Sequence, residues 1–220
     1  MVKTEQDKSF RFYTRLHLRI LTGLKATNIE QLLVLLKKVT GSCIYYHTHH
    51  FLQVHEKLSP EPPNDFAYWI RDVLNEEALA EKIASIDIVK FHAISHLRKA
   101  IVKIVEDNVK ENPRIKSRFA SHDKAFHFIK STSFVMPTPY VAKDLKSFHE
   151  ILQKVTVDAL YFHLFEAKLR LDKETNDFSF WLGTSLKEVE LAEKIASLDP
   201  YTFTMEDLRE ELIKLVKEKL

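Results

Sequence analysis

Polar and apolar positions alternate along residues 10–20, FRFYTRLHLRI. Phe10, Phe12, Leu16, Leu18 and Ile20 fall on one side and Arg11, Arg15, His17 and Arg19 on the other. A period of two belongs to a half-buried strand, because successive side chains of an extended chain point to opposite faces. Thr22-Gly23 breaks the pattern, and the period then changes. Ile29, Leu32, Leu33, Leu36 and Val39 recur at helical spacing, with Asn28 and Gln31 placed as a capping box and Gly41-Ser42 as the stop.

A second helix is predicted over 44–57, with Ile44, His47, Thr48, Phe51 and His55 on one stripe. His47 therefore points where its apolar neighbours point, and His49 points away. SPEPP at 59–63 is a stiff, polyproline-like connection. Asn64 or Asp65 caps a helix that runs through Trp69 to about Val73, and another helix covers 76–86 with Glu76 and Glu77 in its first turn. Residues 93–110 are amphipathic through Ile94, Leu97, Ile101, Ile104 and Val105, and Pro113 closes them. The basic, polar stretch 110–124, KENPRIKSRFASHDK, has little apolar periodicity and predicts a protease-sensitive joint.

Sliding the chain along itself by about 116 residues pairs Phe10 and Phe12 with Phe126 and Phe128, Lys38-Val39-Thr40 with Lys154-Val155-Thr156, and Tyr45 and His47 with Tyr161 and His163. After a four-residue deletion at the proline segment, Asn64-Asp65-Phe66 and Trp69 meet Asn176-Asp177-Phe178 and Trp181, and LAEKIASID at 79–87 meets LAEKIASLD at 191–199. Roughly two dozen identities over about 95 positions far exceed the about five or six expected of unrelated sequence. The second half opens with a poorer strand, FHFIKSTSFVM, and Asp144 caps its first helix. The expected fold is predominantly α-helical α+β, a tandem duplication with one strand followed by about five helices per repeat. Repeat 1 spans 1–112 and repeat 2 spans 113–220. A lone strand leaves backbone groups unsatisfied, so the two strands are expected to pair across a pseudo-two-fold and interlock the halves as one globular unit.

Composition narrows the function classes. At 220 residues and 45% hydrophobic the chain can bury a core, and 33 Lys plus Arg against 31 Asp plus Glu are too balanced to argue for nucleic acid. Cys43 is the sole cysteine, which excludes an internal disulfide framework. Three glycines cannot build a Walker loop or a dinucleotide turn, and no GxSxG or HExxH is present. MVKTEQDKSF lacks the apolar core of a leader, and runs such as LLVLL are too short to span a bilayer, so the expected compartment is cytoplasmic with no membrane partner. High Lys and Glu with few Asn and Gln suit a heat-adapted protein.

The segments HTHHF, LSPEPPNDFAYW and LAEKIASID, followed by YFHLFEAKLRL, NDFSFWL and LAEKIASLDPYTFT, resemble the bacterial and archaeal family of unknown function DUF5752 over nearly the whole chain. That family has no assigned activity. Some members sit beside or are fused to sugar-transferring enzymes, so the resemblance implies a link to sugar metabolism and specifies no reaction.

Candidate chemistry centres on the repeated histidines. An unpaired imidazole on an apolar stripe costs about 1–3 kcal/mol, so His47 and His163 each need a partner. Asp65 and Asp177 begin the following helices, with Trp69 and Trp181 one turn on, which makes His47, Asn64, Asp65, Trp69, His163, Asn176, Asp177 and Trp181 the candidate ligand-binding residues. The same residues also read as helix caps and core packing. His47 and His50, with His163 and Glu166 at the matching positions, form HxxH and HxxE pairs of the kind that hold metals on facing helices, but no further ligand completes the set. Cys43, four residues before His47, is placed to meet it as thiolate and base, yet Ala159 stands at the matching position. Arg11, Arg15 and Arg19 form a stripe suited to an anion, where the second strand has His127, Ser131 and Ser133. Two readings stay open. One is a cytoplasmic accessory or ligand-binding protein, without cofactor, whose partner is a small molecule or another protein. The other is a metal-assisted enzyme that uses paired His and Asp residues with a divalent metal at the pseudo-two-fold.

Overall fold

The computed structural model describes residues 8–54, 64–167, 175–199 and 202–220, and the predicted 55–57 helix end and the 59–63 proline segment lie outside the described residues. The fold is α+β. Strands β1, Phe10–Ala26, and β2, Phe126–Ala142, form a two-stranded sheet, and both run longer than the alternating stretches that announced them. Gly23 does not end β1: it adopts φ +77, a region costly to other residues, and the chain stays extended through Ala26. β2 likewise tolerates Pro137 and Pro139, both exposed. In a two-stranded sheet every strand is an edge, so a missing N–H can face outward without breaking the ladder.

Among the described residues, five helices follow each strand. After β1 come α1, Ile29–Lys38, α2, Gly41–Val54, α3, Asp65–Asp72, α4, Glu77–Ala84, and α5, Ile94–Glu111. After β2 come α6, Leu145–Leu152, α7, Val157–Leu164, α8, Asp177–Trp181, α9, Val189–Ala196, and α10, Met205–Lys217. Local chemistry sets their starts. Asn28 accepts from the Gln31 N–H at 2.9 Å, while the Gln31 side chain reaches past the expected box to accept from the Thr27 N–H at 2.8 Å. Asp144 with Ser147 and Thr204 with Asp207 are full capping boxes. Gly41 opens α2 instead of stopping the chain, and a Cβ there would meet Ile94 Cγ2 at an ordinary 3.6 Å.

The described chain divides into two compact units that cut across the sequence halves. One holds residues up to Leu16 together with Phe134–Leu220, and its core includes Phe12, Phe128's counterpart in sequence, packed with Phe148 and Phe178. The other holds His17–Val54 with residues 64–133, and Phe128 lies within 6.4 Å of Phe66 there. The strands are therefore split: each unit takes the start of one strand and the end of the other. Side-chain bonds tie the two strands together inside each unit. The Thr138 hydroxyl donates to Phe12 O at 2.8 Å in the first, and the Thr22 hydroxyl donates to Phe128 O at 2.7 Å in the second.

Two expectations change. Phe12 is fully buried, but Leu16, Leu18 and Ile20, predicted on the same buried face, are 49%, 48% and 39% exposed. At positions 15 and 17 it is the odd-numbered face that is engaged, with Arg15 bonded to Glu166 in one unit and His17 stacked on Tyr45 in the other. A strand that serves two cores changes its covered face on the way, which alternation alone does not reveal. The 110–124 joint is also more anchored than its polarity suggests. Short 3-10 turns occupy Pro113–Ser117 and His122–Lys124, Ile115 is fully buried, and the Ala120 N–H donates to Thr27 O at 2.7 Å.

Candidate functional site

The site begins with a cap. Asn64 accepts from the Ala67 N–H at 2.9 Å and so fixes where α3 starts, which leaves Asp65 at the first helical position. From there the Asp65 carboxylate lies 2.8 Å from His47 Nδ1 on α2. The other ring nitrogen, Nε2, receives the backbone N–H of Ile129 on β2 at 2.9 Å. A nitrogen that accepts must carry the lone pair, so the network assigns the proton to Nδ1, donated to Asp65. One turn along α3, the Trp69 indole N–H donates to the Lys124 carbonyl at 2.8 Å.

The other unit, which holds Phe134–Leu220, repeats the set bond for bond. Asn176 accepts from the Ser179 N–H at 2.8 Å, His163 Nδ1 lies 2.7 Å from Asp177, His163 Nε2 receives the Tyr13 N–H at 2.8 Å, and the Trp181 indole donates to Lys8 O at 2.7 Å. The residues predicted to line a pocket thus grip a strand. His and Trp hold two backbone groups five residues apart, and the aromatic rings pack on the phenylalanines between them. Phe126 sits 4.7 Å from the His47 ring and 5.7 Å from Trp69, and Phe10 sits 4.9 Å from His163 and 5.4 Å from Trp181.

This geometry constrains the chemistry. An imidazole that donates from one nitrogen and accepts a backbone N–H at the other has no lone pair for a metal and no free base, so either role requires one of these bonds to open. Of the other predicted ligands, Glu166 is 1% exposed and accepts from Arg15 at 2.5 Å, and the His50 side chain lies outside the described residues. Among the described residues no three His, Cys, Asp or Glu side chains are grouped to hold a metal. Cys43 is buried with its Sγ 3.6 Å from the Thr40 hydroxyl, and the base it would need, His47, is engaged as described. The arginine stripe is dispersed in role: Arg15 is tied to Glu166, Arg19 lies 5.9 Å over the Tyr46 ring, and Arg11 is exposed. Burial pushes the Tyr46 phenol up, with Arg19 opposing and the Asp65 carboxylate adding to the rise.

Sequence reasoning missed one cluster. His49, expected to face away, is 2% exposed; its ring stacks on Tyr45 at 4.8 Å and 14°, and its Nδ1 lies 2.8 Å from the Thr48 hydroxyl. Tyr45 stacks in turn on His17, whose Nδ1 lies 2.9 Å from Ser131 and 2.8 Å from Ser133. The i, i+4 spacing of Tyr45 and His49 was the available signal. The strand contacts had one too, because Lys8, Phe10 and Phe12 match Lys124, Phe126 and Phe128 at one common offset.

Comparison with known proteins follows from this architecture. A family model described as a family of unknown function, DUF5752, matches residues 7–217. The chain belongs to DUF5752. No curated protein matches the DUF5752 chain. Its fold is similar to that of OrfY from Thermoproteus tenax, at 23% identity and a TM-score of 0.79 over 96% of this chain and 94% of that one. No helix among the described residues is long and apolar enough to cross a membrane.

Proposed function

We propose that this DUF5752 chain is a cytoplasmic, non-enzymatic accessory or ligand-binding protein associated with sugar metabolism, built by tandem duplication with its halves related by a pseudo-two-fold. One observation carries the reading: the histidines that most resemble catalytic or metal-binding groups spend both ring nitrogens on a carboxylate and a strand N–H. Residues used in this way hold the fold. The duplication is supported by identities in sequence and by the recurrence of the same bonds at matched positions, down to the helix-end closures of Glu76 N–H on Ile70 O at 3.1 Å and Glu188 N–H on Leu182 O at 3.0 Å. The link to sugar metabolism rests on the family resemblance alone.

The test is a thermal-shift screen of tag-free protein against sugars, sugar phosphates and nucleotides, with metal analysis of the same sample. A saturable shift with a sugar or sugar phosphate and no turnover is the expected result. Near-stoichiometric transition metal would instead favour the metal-assisted enzyme, and would require that His47 or His163 give up a bond.

A further inference from the structure

Both clamps are filled by a segment distant in sequence, and both occupants share one pattern. Residues 8–13, KSFRFY, lie on the helices that follow β2, with His163 and Tyr13 separated by 150 positions. Residues 124–129, KAFHFI, lie on the helices that follow β1, with His47 and Ile129 separated by 82. In each case the lysine contributes its carbonyl and keeps its side chain exposed, so the residue type there is not read. What is read is an extended backbone, through one carbonyl and one N–H, and two phenylalanines on the face turned to the helices.

We propose that each clamp is a binding site for an extended Phe-x-Phe segment, and that the partner it fits is a second copy of this chain, entering through residues 8–13. The inference rests on the strand-holding reading of the His-Asp-Trp sets. Recognition by backbone bonds plus side-chain pockets is the chemistry of strand addition. It does not require the strand to be covalently near its clamp, and in this chain the strand already is not. Every further copy carries two segments with the required pattern, so exchange between copies forms the same bonds that the single chain forms, the condition under which domain swapping is inexpensive.

The test uses a synthetic peptide covering Lys8–Leu16 and a control with both phenylalanines replaced by alanine. In the full chain carrying Phe10→Ala and Phe12→Ala, the peptide should bind at least tenfold tighter than to the parent chain, whose clamp is filled, and should raise the melting temperature by several degrees. The control peptide should do neither. Equal effects of the two peptides, or none, overturn the proposal. If that variant fails to fold, the parent chain serves: refolded from denaturant at rising concentration, it should give a growing dimer fraction in light scattering, which excess peptide suppresses and the control does not. Monomer at every concentration, or a dimer indifferent to the peptide, overturns it equally. Neither result depends on any sugar, so failure of the sugar screen and failure of strand exchange are distinguishable.

Discussion

The His47 and His163 clamps make the same bonds with different surroundings. Asp65 is 47% exposed at the side chain and Asp177 only 15%. Next to His163, one turn along, lies the buried Glu166 paired with Arg15, whereas the buried polar residues beside His47 include Thr48 and His49, the latter stacked on Tyr45. The conserved part of the comparison is the grip on a strand, and the variable part is the ring of polar groups around it. The shared set that holds the strand is His, Asp, Trp, the capping Asn and the Phe66 or Phe178 ring packed on the strand phenylalanines, and the flanks differ around it.

The largest effect should come from the strand's own anchors. Phe12 and Phe128 are fully buried, so Phe12→Ala and Phe128→Ala should each cost about 3–5 kcal/mol, which in a chain of this size is roughly 2–4 °C of melting temperature per kcal/mol. Matching losses in thermal melts support equivalent clamps, and a difference above about 1 kcal/mol breaks the comparison at its centre. Next, His47→Ala and His163→Ala each take the acceptor from a strand N–H, that of Ile129 or Tyr13, at about 1–3 kcal/mol. His163→Ala should be the worse of the two, because the bond it breaks to Asp177 is better shielded from water than the one to Asp65; the reverse order in urea unfolding would mean that exposure does not govern the difference. Trp69→Phe and Trp181→Phe keep the ring and lose one indole bond, so about 1 kcal/mol each is expected in the same assay.

The smallest effect separates the units by pH. The helices α6 and α10 are capped by groups that titrate: the Ser147 side chain and N–H hold Asp144 below the ordinary aspartate range, and the Thr204 side chain and N–H do the same for Asp207. A depressed carboxyl contributes stability that is present above its unfolded value and lost as pH falls through the folded one. The caps of α1 and α3 are Asn28 and Asn64, which do not titrate. Hydrogen exchange at successively lower pH should therefore show the first turns of α6 and α10 opening, below the ordinary aspartate range, before those of α1 and α3. Simultaneous opening would show that the caps do not set the order.

Much of this was legible in the residues. The Asn caps, the helix stripes and the His-Asp pairing all follow from local spacing, since a cap fixes where the next side chain falls. What the spacing could not show is what His Nε2 and the indole N–H would meet, because those partners lie 55 to 173 positions away and are backbone groups, which any residue supplies. The covered face of β1 was misread past Thr14 for the same reason. Periodicity reports that a strand has two faces, and only the tertiary partners decide which one is covered at each point along it.

The distance between each clamp and its strand sets an order of events during synthesis. A ribosome delivers α1–α5 well before residues 124–129, so His47 waits 82 residues for the N–H of Ile129. At about 5–20 residues per second this is roughly 4–16 s in which the His47 ring lacks its strand partner. His163 has no such wait, because Tyr13 was made 150 residues earlier, but Phe10 and Phe12 must then remain uncovered for most of the chain's synthesis. The nascent chain therefore carries an open receptor and an unplaced strand together, and crowding on a polysome is where two copies would most readily exchange them.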